Sequence, residues 1–140
     1  MQMMRRMKKM MKMNGTTDTE FYKLFDLQVL FQKMLAYDGS YGDVGLEDIP
    51  EDNIELSKYH CVALLEEIGE LVKSDKRWKN YRNKKYDKEN KLEELADCII
   101  TIFNIAMFSG FNGRQLSEAV FKKINENRER YVEEKAKKGE

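Results

Sequence analysis

Carboxylate side chains recur at helical spacing in two separate segments of the chain. Glu66, Glu67 and Glu70 stand in the first segment, and Glu94 and Asp97 stand in the second. At about 100° per residue, side chains three positions apart share one face of a helix, so each segment presents a pair of carboxylates. Oxygen ligands of this kind suit Mg²⁺ or Mn²⁺. The spacing predicts a divalent metal site built from two helices, with metal-assisted hydrolysis as its chemistry.

Both segments carry their carboxylates among apolar residues. The second segment continues into the apolar run from Cys98 to Phe108, in which only Thr101 and Asn104 extend its polar stripe. A carboxylate in such surroundings must be paired, hydrogen-bonded or bound to metal, and several facing one another repel. We therefore expect Mg²⁺, or alternatively Mn²⁺, to hold them together. The predicted metal ligands are Glu67, Glu70, Glu94 and Asp97.

The two acidic motifs resemble those of a known superfamily. Glu-Glu-x-x-Glu at residues 66–70, followed by Glu-x-x-Asp at residues 94–97, is similar to the signature of the all-α nucleoside triphosphate pyrophosphatases, which include MazG proteins, dimeric dUTPases and dCTP pyrophosphatases. The resemblance covers roughly residues 20–132. It implies a helical, oligomeric, Mg²⁺-dependent hydrolase that cleaves a nucleoside triphosphate to the monophosphate and pyrophosphate. A nucleotide-pool sanitising role on dUTP or dCTP is favoured.

Further catalytic and substrate-binding residues follow from the motifs and the resemblance. Glu66 or Glu93 is expected to orient or deprotonate the attacking water. Substrate contacts are expected from a glutamine of the first helix, a Trp-Lys pair after the second, an asparagine of the polar stripe and three aligned polar residues of the last helix. These residues are Gln28, Trp78, Lys79, Asn104, Lys123, Asn127 and Arg130.

Four helices are predicted to position these side chains. Apolar periodicity, capping residues and glycines place them at about residues 18–37, 54–74, 88–109 and 113–137. The predicted fold is an all-α bundle of four to five helices, preceded by a basic, methionine-rich tail over residues 1–16, with the domain itself over residues 17–137. Two very apolar helices flanked by two amphipathic ones leave more apolar surface than one chain covers. We therefore expect a homodimer or homotetramer with the third helix near the interface.

Bulk properties limit the remaining possibilities. The chain has 140 residues and a formal net charge of zero. It therefore has no overall positive charge that would attract nucleic acid or a membrane surface. Cys61 and Cys98 lie in apolar contexts, and we expect reduced, buried thiols in a cytoplasmic protein. The single histidine, His60, is expected to be a hydrogen-bonded structural residue of the second helix rather than a catalytic one.

A basic segment joins the two acidic helices and leaves alternatives open. Residues 73–91 hold nine Lys or Arg and three Asp or Glu, a local charge of nine minus three, or +6. These cations are placed to meet the phosphates of a nucleotide. The carboxylates could instead form structural ion pairs with them in a non-catalytic helical interaction module. A third possibility, single-stranded nucleic acid binding by basic and aromatic residues, is disfavoured by the neutral overall charge.

Overall fold

The computed structural model describes residue 5 and residues 20–39, 49–79 and 86–139. The elements in these ranges are helix α1, Phe21–Tyr37; helix α2, Ile54–Ser74; a short 3₁₀ helix, Lys76–Trp78; helix α3, Lys88–Met107; and helix α4, Gly113–Lys137. The predicted all-α bundle is confirmed. Helices α2 and α4 have their predicted bounds, and α3 ends at Met107 rather than at Ser109. Helix α1 begins at Phe21 rather than near residue 18, because its N-cap Glu20 is in an extended conformation.

Side-chain caps determine where three of the helices begin. Asn53 and Asp87 accept hydrogen bonds from backbone N–H groups three residues later, at 3.1 and 3.0 Å. Asn112 and Gln115 form a reciprocal capping box with two bonds of 2.9 Å. Before that box, Gly110 takes a φ of 85°, a left-handed conformation that glycine adopts without steric cost. These local signals separate α3 from α4 and set the starting points of α2 and α3.

Helices α2 and α3 form an antiparallel hairpin. The hydroxyls of Ser57, near the start of α2, and Ser109, just after α3, are 3.1 Å apart. At the other end, Lys91 near the start of α3 donates to Asp75, just after α2, at 2.9 Å. The middle turns of the two helices are therefore neighbours, which is where both acidic motifs stand.

The core lies where α1 and the start of α4 pack against α3. Phe25 and Met107 are fully buried, and the Phe25 and Phe103 rings meet edge to face with centroids 5.3 Å apart. A Cβ atom at Gly113 would lie 3.0 Å from the Phe25 Cβ, so a larger residue there would require α1 or α4 to shift by a few tenths of an ångström. This packing fixes α1 along the same helix that carries the second acidic motif.

The apolar run of α3 is less buried than its sequence predicts. Ile99 and Ile102 keep 48% and 42% of their surface exposed, because α1 covers only one side of the helix. The expectation of two buried cysteines is wrong for Cys61, which is exposed, and holds for Cys98; both are free thiols. Within the described ranges, none of the helices combines the length and apolar character required to cross a membrane.

His60 is the buried residue of α2. It is 6% exposed and its ring stacks on Phe108, with centroids 5.2 Å apart and planes 5° from parallel. The expected hydrogen bond is not made at Nε2, which is buried with no hydrogen-bond partner among the described residues. Burial lowers the pKa of His60 below its usual 6.5, because the charged ring would lose its hydration.

Acidification is therefore expected to destabilise the fold through His60. The unfolded chain binds a proton near the ordinary histidine pKa while the folded chain does not, so the free energy of unfolding decreases as pH falls below about 6.5. Urea unfolding of the wild type and of His60→Leu, at pH values above and below that point, measures this. The variant is expected to lose less stability in acid, and parallel pH profiles for the two proteins would contradict the assignment.

Candidate metal and nucleotide site

Three carboxylates meet at the middle of the hairpin. One oxygen from each of Glu67, Glu94 and Asp97 lies within 4.8 Å of the other two. Glu67 comes from α2, and the other two come from successive turns of α3. The structure thus brings together residues from both acidic motifs, as the helical spacing predicts.

The charges around this carboxylate group are unfavourable without a cation. Burial raises the pKa of Glu67, and the negative charges of Asp97 and Glu94 raise it further. Burial likewise raises the pKa of the Cys98 thiol beside them, with smaller contributions from the same carboxylates. Cys98 therefore remains a protonated, unreactive thiol, and the group as a whole favours a positively charged ligand.

The donor set fits a hard divalent cation. Oxygen ligands of Mg²⁺ lie at about 2.1 Å from the ion, so two of them can be at most about 4.2 Å apart. The observed 4.8 Å limit is close to this spacing. Small side-chain adjustments would let Glu67, Glu94 and Asp97 hold one ion, with the remaining positions left to water or phosphate oxygens.

The other two acidic residues of the first motif lie at the border of this group. Glu66 and Glu70 are both exposed, and both add negative potential at Glu67. Glu70, expected as a fourth ligand, lies outside the three-carboxylate group and is 3.9 Å from the ammonium of Lys73. This exposed contact is weak, and Glu70 stands one helical turn from Glu67. Its role as a ligand stays a prediction.

Two predicted substrate residues on different helices contact each other. Gln28 Nε2 on α1 donates a hydrogen bond of 3.0 Å to Asn104 Oδ1 on α3. Asn104 stands seven residues after Asp97, about 10 Å along the helix. Between them, Thr101 uses its hydroxyl on the backbone oxygen of Asp97, at 2.8 Å. The polar stripe of α3 therefore leads from the carboxylates to an amide pair.

An open apolar cavity borders the amide pair. It has a volume of about 440 Å³ and lies between α1 and α3, with Gln28 as its polar wall. Its apolar lining includes Leu27, Phe31, Ile100 and Phe103. A flat ring bearing polar edge groups is the kind of ligand that such a wall and lining accommodate.

Trp78 and Lys79 lie at the tip of the hairpin rather than beside the carboxylates. The Trp78 indole donates to the backbone oxygen of Val72 at 3.3 Å and faces a cavity shared with Val72 and Leu95. The Lys79 ammonium lies 5.1 Å from the centre of the indole ring. The structure does not bring these two residues to the carboxylates, and their substrate contacts stay a prediction.

Asp75 organises the described ends of the basic segment. Its carboxylate accepts from Arg77 at 2.7 Å and from Lys91 at 2.9 Å, and the Arg77 guanidinium stacks 3.5 Å from the Tyr86 ring. Hydrogen bonds from Arg77 and then Lys91 hold the pKa of Asp75 well below its usual range. This role of Asp75 was not predicted from the sequence, although the two-residue spacing of Asp75 and Arg77 is a signal for it. Residues 80–85 lie outside the described ranges.

The predicted phosphate contacts of the last helix lie apart from the other candidates. Lys123, Asn127 and Arg130 are exposed on the outer part of α4. The described contact of Lys123 is an ion pair with Glu126 of its own helix, at 3.5 Å. Since α4 packs against the bundle through its first turns, the structure does not bring these three residues to the carboxylates. Their substrate contacts stay a prediction.

An all-helical bundle with carboxylates of two acidic motifs facing one another across a hairpin matches the class of the all-α nucleoside triphosphate pyrophosphatases. Comparison with protein-family models identifies the family of this chain more specifically. The model of the family described as dUTPase matches residues 7–134, and the chain belongs to that family. Neither the curated proteins nor the solved structures contain a match to this chain. The family supports nucleoside triphosphate pyrophosphatase activity in general and Mg²⁺ as its usual ion.

Proposed function

We propose that the protein hydrolyses a deoxynucleoside triphosphate, dUTP or dCTP, to the monophosphate and pyrophosphate. The observation that carries the proposal is the meeting of Glu67, Glu94 and Asp97 within 4.8 Å in a chain of the dUTPase family. The reaction adds water across a phosphoanhydride: the water oxygen bonds to phosphorus, the bridging P–O bond breaks, and pyrophosphate leaves.

Different residues of the chain would bind the metal, accept the proton and neutralise the phosphates in this reaction. Glu67, Glu94 and Asp97, joined by Glu70, would hold Mg²⁺. When bound, the ion supplies positive charge to the triphosphate oxygens and to the leaving pyrophosphate. Glu66 or Glu93, both exposed, would orient the attacking water or take its proton. Basic residues of the segment between the acidic helices and of α4 would complete the charge neutralisation of the phosphates.

Gln28 and Asn104 are proposed to bind the base. The separation of Asn104 from Asp97, about 10 Å along α3, suits a nucleotide whose phosphates are at the acidic group. With its oxygen accepting from Gln28, the Asn104 amide keeps its NH₂ group for a base carbonyl, such as O4 of uracil. Rotating both amides together would preserve their mutual bond and present an oxygen to the amino group of cytosine. The pair alone therefore accommodates either base.

Removing the Asn104 amide is expected to weaken substrate use without affecting the metal. Asn104→Ala should lower kcat/KM for the preferred nucleotide about 10- to 100-fold, since a lost hydrogen bond that leaves a polar partner unpaired costs about 1 to 3 kcal/mol. Thr101→Val is the control, because Thr101 has the same 7% exposure but bonds to its own helix. Equal kcat/KM for Asn104→Ala and wild type, or loss of Mn²⁺ binding in the variant, would contradict this role.

The activity itself is tested by pyrophosphate release from a panel of ribo- and deoxyribonucleoside triphosphates, with Mg²⁺ and with EDTA. We expect release from dUTP or dCTP that requires Mg²⁺. A folded, Mg²⁺-loaded protein that releases pyrophosphate from none of them would overturn the enzyme proposal in favour of a non-catalytic interaction module. Among the described residues, Arg77 and Lys91 pair with Asp75. Lys73 makes only a weak, exposed contact of 3.9 Å with Glu70.

We further propose that the working form is a homo-oligomer, a dimer or a tetramer, in the cytoplasm. The exposed apolar residues of α3 support the assembly, since soluble monomers rarely expose large contiguous apolar patches. The free thiols of Cys61 and Cys98 agree with a reducing compartment.

A further inference from the structure

The outer part of α4 carries a row of exposed apolar side chains, here called the α4 stripe. Between 44% and 69% of the surface is exposed at its five members, Val120, Phe121, Ile124, Tyr131 and Val132. The other four stand three, four, seven and eight positions from Ile124, so all five share one side of the helix. An open groove of about 390 Å³ lies between Ile124, Tyr131 and Val132. The α4 stripe is therefore an apolar surface that another element could cover.

The α4 stripe continues the side of α4 that packs on α1. At about 100° per residue, Gly113 is about 20° around the helix from Ile124. Gly113 is buried against Phe25, and Leu116 packs on the core. The cover ends beyond Leu116, since Val120 on the same side is exposed. The first turns of α4 thus have a helix against this side, whereas the described residues supply none for the outer turns.

A segment near the start of the chain has a pattern that matches such a surface. Residues 3–12, here called the methionine segment, have all their apolar side chains within about 60° of Met7 on a helical wheel. These are Met3, Met4, Met7, Met10 and Met11. The basic side chains lie at least about 100° from Met7, and they are Arg5, Arg6, Lys8, Lys9 and Lys12. Arg5, the described residue of this segment, is helical and exposed. The pattern predicts a helix with one side for an apolar groove, which methionine fills adaptably, and one side for water.

The chain between this segment and α1 is long enough to reach the α4 stripe. Tyr22, at the start of α1, lies beside the start of α4, with the Arg114 guanidinium 4.3 Å from the centre of its ring. Ile124 stands eleven positions after Gly113, or about 17 Å along α4. Residues 13–19 number seven and can span up to about 23 Å. The methionine segment would be about 15 Å long as a helix, against about 18 Å for the stripe.

We propose that the methionine segment of this chain docks on the α4 stripe, with Met7 beside Ile124 and the basic side chains toward solvent. Attachment through seven residues gives an effective concentration on the order of millimolar, so a modest apolar contact is sufficient to hold the segment. The family match begins at residue 7 and so includes part of this segment. Lys123 and Arg130 are about 100° to 120° around α4 from Ile124, and docking leaves both free for the phosphate contacts predicted for them.

Disulfide cross-linking of the full-length chain tests where the segment lies. Cys61→Ser removes the exposed thiol, and Met7→Cys is then combined with Ile124→Cys. Mild oxidation is expected to join this pair within one chain, because docked helices bring their α-carbons within about 7 Å. The control combines Met7→Cys with Leu92→Cys, which is 68% exposed at the start of α3. This pair should cross-link at least about tenfold more slowly.

Hydrogen exchange of the α4 amides tests which side of the segment makes the contact. Met7→Asp combined with Met10→Asp is expected to speed exchange over residues 120–132 at least about tenfold, because a carboxylate is not tolerated in an apolar groove. Lys8→Gln combined with Lys9→Gln changes the net charge by the same two units but on the opposite side of the segment. This control should leave the exchange rates unchanged.

Four results would overturn the proposal. A cross-linked product of twice the chain mass would assign the stripe to a second copy, and equal rates for the two cysteine pairs would show that the segment has no fixed position. Unchanged exchange in the Met7 and Met10 variant would mean that the methionines do not cover α4. Binding of the wild type to phosphatidylglycerol vesicles, without the cross-link within one chain, would make the segment a membrane anchor. Neither experiment measures pyrophosphate release, so the outcome does not depend on the proposed hydrolase activity.

Discussion

Replacing Glu67 by glutamine is expected to reduce pyrophosphate release about 10³-fold while stabilising the metal-free protein. A bound divalent ion supplies several kcal/mol of charge stabilisation in the transition state, and about 4 kcal/mol corresponds to that factor. Glutamine preserves the shape of the side chain but removes its charge and one strong ligand. Since Glu67 is the one α2 residue in the three-carboxylate group, its loss separates the two halves of the site.

The opposite effect on stability follows from the same electrostatics. Burial and the negative charges of Asp97 and Glu94 raise the pKa of Glu67, so the ionised side chain is unfavourable in the folded, metal-free protein. Glutamine removes this repulsion. In EDTA, the melting temperature of Glu67→Gln is therefore expected to exceed that of the wild type, and Mn²⁺ is expected to raise the melting temperature of the wild type alone.

A second charge-neutralising variant provides the control. Glu118→Gln removes a carboxylate from the exposed surface of α4, away from the candidate site. It should change neither Mn²⁺ binding, followed by electron paramagnetic resonance, nor pyrophosphate release. Wild-type Mn²⁺ affinity in Glu67→Gln would show that the carboxylate group is not the metal site, even if activity were lost.

The parts of the fold that depend on interactions between residues close in sequence could be predicted from the sequence. The bounds of α2 follow from the cap at Asn53, and the break between α3 and α4 follows from Gly110 and the cap at Asn112. The fixed rotation per residue places Glu94 and Asp97 on one side of α3. These features depend only on residues that are a few positions apart, and the identities of those residues are known from the sequence.

Contacts between distant residues are not readable in the same way. Both Gln28 and Asn104 were identified as candidates, but their hydrogen bond depends on how α1 lies against α3. Trp78 was expected beside the phosphates, whereas its bond to Val72 turns it toward the cavity that it shares with Leu95. The apolar sequence around Cys61 predicted burial, but apolar composition does not state whether the covering surface belongs to the same chain or to another copy.

Truncating Phe25 to alanine is expected to destabilise the protein by about 3 to 5 kcal/mol. Phe25 is fully buried and packs against Phe103 and Gly113, so its removal leaves a cavity between three helices. This is a large share of the 5 to 15 kcal/mol typical of a folded domain. Urea unfolding measures the loss. Phe21→Ala is the matched control, because Phe21 also touches Phe103 but is 37% exposed, and it should cost less.

The Phe25→Ala variant also tests whether the core positions the proposed base contacts. Phe25 precedes Gln28 by one helical turn, and the packing of Phe25 on α3 and α4 positions Gln28 beside Asn104. The three carboxylates lie on α2 and α3, which remain joined without α1. At temperatures where Phe25→Ala is still folded, KM for the nucleotide should therefore rise while Mn²⁺ affinity changes little. If nucleotide binding and Mn²⁺ affinity were weakened equally, α1 would also support the metal site. An unchanged KM would show that the position of α1 does not affect substrate binding.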